Sequence, residues 1–400
     1  MKLDLAPVPR GVDADELLAL SDRSGKMLQK IRDSMLQPFP RKQAPIYPSN
    51  KVQALCSIDK TKMNYLLKRG ELPTGKQEAP GRMRYFTLAE TMQWVKKTVD
   101  IPERAPGQKG KIITVGNFKG GVTKTTTSMM LAQGLTLRRC RKVLILDLDP
   151  QGSTTTFFGI NPHAEIDAEQ TILPLVDGSV EDLRHAPMKT YWDNLDLIPS
   201  STDLFNAEFM LPAKVHQGDE TFQFWKVLRR GLEPLLDEYD YIIIDTAPTL
   251  SYLTINALFA GDSIIVPVVP DALSFASMVQ FWSLFSDLIG GLQSNKHTED
   301  SKVFDYIDIL ITRIPKKPTA ELVKDWIIKT YRDHVLPVEI PETPLAMNTS
   351  AEFSTVYDMP SYDGSTDAYR RIAEPFDRLV DLIDNKTCAL WETEKQPSLI

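Results

Sequence analysis

From residue 111 onward the chain alternates short apolar runs with longer stretches of helical period. "KIITVGNF" at 111–118, "KVLILDLDP" at 142–150 and "YDYIIIDTAPT" at 239–249 are too short for helices and apolar at both alternating positions. "SIIVPVVP" at 263–270 and "YIDILITRI" at 306–314 have the same form. Strands of this kind are buried on both faces, as helical crossovers in a parallel sheet require. A helix, "TTTSMMLAQGLTLRR", follows the first run. The expected fold for 111–400 is therefore a doubly wound, mostly parallel α/β sheet.

The first 110 residues are patterned differently. In 13–36, Leu17, Leu20, Met27, Leu28, Ile31 and Met35 recur near helical spacing, which predicts a long amphipathic helix. Such a helix serves dimerisation or packs back on its own chain. Four prolines in "QPFPRKQAPIYPSN" make 37–50 an extended linker. In 51–98, "KVQALCS" predicts a short helix, and Ser57 is the expected N-cap of a second, "IDKTKMNYLLKR", ended by Gly70. "TGKQEAPGRMRYF" reads as a hairpin wing, and Thr87 caps a third helix, "LAETMQWVKKT". Helix, turn, helix, wing, helix is the layout of a winged helix-turn-helix. The expected domains are 1–50 (helix and linker), 51–110 (winged head plus the linker "PERAPGQKG") and 111–400.

Composition adds little until it is divided along the chain. Apolar content of 42% and 25% charged residues are ordinary for a soluble protein. No run approaches the roughly 20 apolar residues of a membrane helix, and the N-terminus lacks a signal-peptide core. Cys56, Cys140 and Cys388 are scattered, so neither a disulfide framework nor a metal cluster is expected, and a reducing cytoplasm is. Residues 1–110 hold 20 Lys and Arg against 12 Asp and Glu, a net of +8. The remainder holds 26 against 41, a net of −15. A basic head on an acidic body suggests that the head meets a polyanion, although a solvated basic surface gives the same imbalance.

The candidate chemistry falls at strand ends, where open α/β sheets bind ligands. "GNFKGGVTKTTTS" at 116–128 is a phosphate-loop pattern with Phe118 and Thr123 where the usual glycines stand, and with an added Lys119. Gly120 and Gly121 allow close backbone approach, and Val122 and Thr123 complete the cradle. Lys124 supplies a point charge to phosphates and Thr125 a hydroxyl for Mg²⁺; the hydroxyls of Thr126 and Thr127 follow on the helix. "LDLDPQG" places Asp147 and Asp149 at the next strand end, and "IIIDTAP" places Asp245 at another, as a metal-holding acid. Three such motifs on strand ends in chain order predict an ATP site.

"KGGVTKTT", "DLDPQG" and "IIIDTAP" together resemble the deviant Walker A, ParA/MinD family of ATPases, over about 111–385. The resemblance implies that Lys119 reaches across a homodimer to the partner's nucleotide. It further implies that Asp149 positions the lytic water, that Asp245 is the Walker B acid, and that Asn256 contacts adenine. Most relatives carry Gly at the Thr123 position. ATP/ADP and Mg²⁺ are the implied cofactors. The Cys pattern excludes an iron-sulfur member, and the acidic, Pro-containing C-terminus argues against a membrane-bound one.

The head resembles that of larger ParA and RepA-type partition proteins. Lys60, Lys62, Asn64, Tyr65, Lys68 and Arg69 on the second helix, with Lys76, Arg82 and Arg84 in the wing, are then the DNA-binding candidates; Asn64 and Tyr65 read equally as surface and core. A second basic run holds Arg313, Lys316, Lys317, Lys324, Lys329 and Arg332, with Lys316 and Lys317 the candidates for nonspecific DNA and Trp326 and Ile327 expected to pack on the sheet. The implied function is DNA partition with weak ATPase activity, a ParB-like partner that stimulates it, and operator binding for autorepression. The alternatives are a transcriptional repressor with ATP as effector and an ATPase that positions a protein cargo on the nucleoid.

Overall fold

The computed structural model describes residues 11–36, 42–216, 222–294, 302–343, 345, 353–359 and 366–395. Residues 37–41 of the expected linker and the last five residues lie outside these. By contact the chain forms two units, Met1–Gln43 and Ala44–Ile400.

The first unit carries α1 (Ala14–Leu36). Asp13 caps it by accepting from the Glu16 N–H at 2.9 Å, and Asp22 pairs with Lys26 one turn along at 2.6 Å. Leu17, Leu20 and Met27 of its apolar stripe are exposed. The side chains of Leu28, Ile31 and Met35 are outside the described residues.

The second unit begins with β1 (Ile46–Pro48), α2 (Ser49–Leu55), α3 (Lys60–Arg69), β2 (Lys76–Gln77), β3 (Arg84–Thr87) and α4 (Leu88–Thr98). The three strands pair antiparallel in the order β1-β3-β2. The N-cap of α3 is Asp59, not Ser57: the Asp59 carboxylate accepts from the Lys62 N–H at 2.7 Å, while Ser57 sits at φ 50° in the turn before it. An aspartate facing helix N–H groups is the stronger cap because it also meets the positive end of the helix dipole. Gly70 ends α3 at φ 71°, and Thr87 and Glu90 form a reciprocal capping box on α4.

The larger sheet has eight strands in the order β11-β10-β9-β4-β8-β5-β7-β6. They are β4 (Lys111–Val115), β5 (Val143–Asp147), β6 (Met188–Lys189), β7 (Leu195–Ile198), β8 (Tyr241–Asp245), β9 (Ser263–Val268), β10 (Tyr306–Ile314) and β11 (Val335–Pro341). All neighbours are parallel except the edge pair β6–β7. The helices are α5 (Lys124–Arg139), α6 (Ser153–Phe157), α7 (Leu173–Asp177), α8 (Ala207–His216), α9 (Val227–Leu232), α10 (Tyr252–Ala260), α11 (Ala272–Ser294), α12 (Pro318–Tyr331) and α13 (Thr366–Lys395). Side chains alternate across the sheet: Ile113, Ile145 and Ile243 pack under α5 and α13, while Ile112, Leu144 and Ile242 pack under α7 to α10. This burial on both faces is why the runs read as continuously apolar.

Three features differ from expectation. Among the described residues α11 is one helix long and apolar enough to cross a membrane by length and composition; here its Met278, Phe281 and Phe285 are buried on the sheet with β9 and β10. Serines interrupt its apolar residues, so no continuous run marks it in the sequence. The small antiparallel layer also shares its core with the body. Tyr47, Phe86 and Trp94 fall in one cluster with Met129, Leu135 and Phe376. The Tyr47 hydroxyl donates to the Tyr357 carbonyl at 2.7 Å, and the Lys51 ammonium to the Tyr369 hydroxyl at 2.6 Å. The segment 102–110 is pinned rather than loose. Arg104 pairs with Asp240 at 2.9 Å, Trp391 donates to the Lys109 carbonyl at 3.0 Å, and a Cβ on Gly110 would lie 2.0 Å from the Tyr239 carbonyl oxygen.

Candidate functional site

Register puts the chemistry at one edge. Val115, Asp147 and Asp245 are Cα neighbours at the ends of β4, β5 and β8, so the loop after β4 lies beside both carboxylates. The loop enters through Asn117, whose buried amide donates to the Pro267 carbonyl at 2.8 Å and accepts from the Lys119 N–H at 3.0 Å. Phe118 packs on Phe281, with ring centroids 4.6 Å apart, which explains an aromatic where a glycine is usual. Gly121 turns the crest at φ 73° with open space around the missing Cβ. Thr123 starts α5 from the left-handed region, at φ 69° and ψ 28°.

The two lysines point different ways. Lys124 is buried and donates to the Lys119 carbonyl at 2.9 Å. Desolvation lowers its pKa, against the pull of Asp245 and Asp149. Lys119 reaches to the start of α11, donating to Ser274 Oγ at 2.6 Å and to both Asp271 oxygens at 3.2 and 3.3 Å.

Asp245 is fully buried, and three hydroxyls donate to it: Thr125 and Thr154 at 2.8 Å and Ser128 at 3.0 Å. Burial raises its pKa, and these donors and Lys124 oppose the rise. Asp147 accepts from the Thr155 N–H and hydroxyl, both at 2.8 Å, and is pushed up to about 8 by burial and by the neighbouring Asp245. Asp149 stands at the loop mouth and accepts from the Gln151 N–H at 2.9 Å. Thr125, Asp149 and Asp245 offer only oxygen, the donor set that suits Mg²⁺.

Beside the loop lies a cavity of about 330 Å³. Gly121, Thr123, Thr126, Arg313, Glu342 and Thr343 line it together with the apolar Ile340, Pro341, Ile372 and Phe376. Arg313, at the end of β10, donates to the Gly121 carbonyl at 3.0 Å and pairs with Glu342 at 3.2 Å. The structure therefore brings together Lys119, Gly120, Gly121, Val122, Thr123, Lys124, Thr125, Thr126, Asp149 and Asp245. It does not bring Asn256 to the loop: that amide is buried in α10, accepting from the Leu228 N–H at 3.1 Å and donating to the Tyr252 carbonyl at 3.0 Å.

On α3 only Met63 is fully buried. Lys60, Lys62, Asn64, Tyr65, Lys68 and Arg69 are exposed, which places Tyr65 on the surface; Arg69 stacks over the Tyr65 ring at 5.9 Å and pairs with Glu71. Lys76 and Arg82 are exposed, and Arg84 is tied to the Thr74 carbonyl at 2.9 Å. In the second basic run Lys324 pairs with Glu321 and Glu339, and Lys329 with Asp325. Lys316 and Lys317 are exposed where α12 begins. Ile327 of α12 is buried against β9 and β10, but Trp326 is 41% exposed, with its ring near Phe275.

The sequence does not single out Ser128, Thr154, Asp271 or Ser274, and it shows Arg313 only as a member of a basic run. Hydroxyl residues are too common for their positions to signal a role without the register of the sheet.

Residues 110–297 match the family model described as an AAA domain. The chain is 31% identical to Protein SopA of Escherichia coli (strain K12) over 330 residues, which cover 78% of this chain and 83% of that protein. It is 29% identical to a putative replication protein A of Rhizobium rhizogenes, covering 78% and 80%. Among solved structures it is similar to cobyrinic acid a,c-diamide synthase of Mycobacterium smegmatis with a bound ATP analogue and magnesium. There the identity is 26% and the TM-score 0.52, over 68% of this chain and 94% of that one.

Proposed function

The chain belongs to the ParA/MinD family of partition ATPases, and from that premise we propose that it segregates the DNA of a plasmid or secondary chromosome through an ATP-controlled dimer. The observation that carries this reading is the opposed placement of the two loop lysines. Lys124 turns inward, where a phosphate would replace the Lys119 carbonyl as its partner. Lys119 turns outward to α11 and is 30% exposed, free to exchange Asp271 for a phosphate of a second subunit. One lysine serves its own nucleotide and the other makes the site sensitive to a partner.

The cavity beside the loop takes the base, and the loop N–H groups and α5 take the phosphates. Thr125, Asp149 and Asp245 hold Mg²⁺, which supplies charge neutralisation at the phosphates. Asp149 positions the attacking water. Basal hydrolysis is slow in this reading because the guanidinium that reaches the loop, Arg313, is committed to Gly121 and Glu342. A ParB-like partner and DNA supply the stimulation, an effect worth about 10³–10⁵ where a partner adds an arginine.

The exposed cations of α3, flanked by the β2–β3 wing, suit a recognition helix in a major groove, with Asn64 for a base edge. This head binds an operator and gives autorepression. Lys316 and Lys317 contribute nonspecific contacts to DNA in the ATP dimer, which places the protein in the cytoplasm on the nucleoid.

Molecular mass in solution with ADP, ATP and a nonhydrolysable ATP analogue tests the dimer. Association that appears only with ATP or the analogue supports it, and a chain that stays monomeric in all three refutes it. Replicon stability and operator repression in a Lys124→Ala strain separate the readings. Loss of stability with repression retained supports partition; loss of repression alone supports a repressor that uses ATP as effector.

A further inference from the structure

Thr123 carries two unfavourable features at one residue. It holds a left-handed backbone, φ 69° and ψ 28°, which a β-branched side chain rarely adopts. Its Oγ1 is shielded from solvent and has no hydrogen-bond partner among the described residues. Gly121, two positions earlier, shows how the same loop accepts a positive φ with no side chain, and a glycine at 123 would remove both penalties. Backbone strain and an orphaned hydroxyl that coincide at a ligand loop point to a contact that forms only with the ligand.

The position of the residue says which part of the ligand that is. Thr123 directly precedes Lys124 and Thr125, the groups that face the terminal phosphates, and it also lines the 330 Å³ cavity, to which Ile340, Pro341, Ile372 and Phe376 contribute apolar surface. It therefore lies where the phosphate cradle passes into the base cavity. In a nucleoside di- or triphosphate the groups at that junction are the α-phosphate and the ribose. A glycine there offers only its main-chain N–H, whereas threonine adds a second donor.

We propose that the Thr123 hydroxyl is a nucleotide-binding group, donating to the α-phosphate–ribose junction of bound ATP or ADP; this rests on the reading of the loop as an ATP site. The side chain makes nucleotide affinity depend on a hydrogen bond that a glycine loop lacks, and the ligand-free chain carries the strain and the unpaired hydroxyl until nucleotide arrives.

The test compares wild type with Thr123→Val, Thr123→Ser and Thr123→Gly in the full chain. It reads ADP and ATP dissociation constants and ligand-free melting temperature. Thr123→Val keeps the shape and removes only the hydroxyl. It should bind ADP about tenfold more weakly, the loss of one hydrogen bond to a charged group, while melting at or above the wild-type temperature. Thr123→Ser should retain most of the affinity, and Thr123→Gly should melt higher yet bind more weakly. A Thr123→Val protein that binds ADP within twofold of wild type overturns the inference and leaves the ATP site standing. So does one that melts lower in proportion to its lost affinity, since the hydroxyl then serves the fold. Wild-type protein that binds neither nucleotide overturns the ATP site itself and the inference with it.

Discussion

Substituting Asp271 by Asn should favour the ATP-bound dimer. Lys119 is held within its own subunit by Ser274 Oγ at 2.6 Å and by the Asp271 carboxylate at 3.2 and 3.3 Å. Burial would push Asp271 up, but hydrogen bonds from Ser274 and Lys119 outweigh it and hold its carboxyl below the usual range. The carboxylate is 44% exposed and the lysine 30%, so solvent screens the pair and the charge term is about 0.5–1 kcal/mol per subunit. A dimer in which both lysines cross releases two such pairs, about 1–2 kcal/mol, and at 1.4 kcal/mol per tenfold that is roughly a 5–30-fold tighter dimer. Asn is the choice over Ala because Asp271 also accepts from the Ser274 N–H at 2.8 Å at the start of α11, and Asn caps as well as Asp. Sedimentation equilibrium with a nonhydrolysable ATP analogue reads the dimer constant, and the same run with ADP is the control. An unchanged or weaker dimer with the analogue would refute the idea that Lys119 must leave α11 to act.

Two further expectations concern stability. Arg141, 4% exposed, makes two hydrogen bonds to Asp384 at 2.7 and 3.0 Å, and the Tyr241 hydroxyl donates to the same carboxylate at 2.8 Å. Asp384→Ala strands a buried guanidinium and should cost about 3–5 kcal/mol in urea unfolding, whereas a loss under 1 kcal/mol would mean that the pair is solvated. Lys302 is pulled down to about 8 by burial, with its ammonium on the Gly261 carbonyl at 2.6 Å. Below pH 8 it is charged in both folded and unfolded chains, so the folded state bears the full desolvation cost. Between about 8 and the ordinary lysine value the unfolded chain binds more protons, and stability rises with pH. Lys302→Met should therefore be more stable than wild type near pH 7, by about 1–2 kcal/mol, with an advantage that shrinks as pH rises through that window; a constant difference contradicts the assignment.

Much of the fold was legible because burial on both faces leaves a plain trace. β4, β5, β8, β9 and β10 are central and read as continuous apolar runs, and each was expected where it lies. The strands that were not expected are nearer the edges. β11 alternates buried and exposed residues along "VLPVEIP", which single-sequence patterning does not separate from loop, and β6 and β7 span only two and four residues. The N-cap of α3 was misplaced for a local reason: Ser57 and Asp59 both precede the apolar pattern, and only the backbone decides which one faces the helix.

The site divides along the same line. Groups contributed by one continuous motif could be named from the sequence, including Lys119, Lys124, Thr125, Asp149 and Asp245. Groups that reach the site by strand register could not. Thr154 arrives this way, from the element after β5; Ser128 closes the loop motif itself but carries no signal of its own, and together with Thr125 these hydroxyls surround Asp245. That cluster explains how a carboxylate with no exposure is tolerated at the end of β8: each hydroxyl donates to the charged form and offsets part of the burial. The same reasoning accounts for Arg313, which the sequence shows only as part of a basic run. Its neighbours in sequence are lysines exposed to solvent, but β10 delivers its guanidinium to the Gly121 carbonyl, so its environment belongs to the nucleotide loop. Sequence proximity had grouped it with Lys316 and Lys317; the sheet groups it with Thr123.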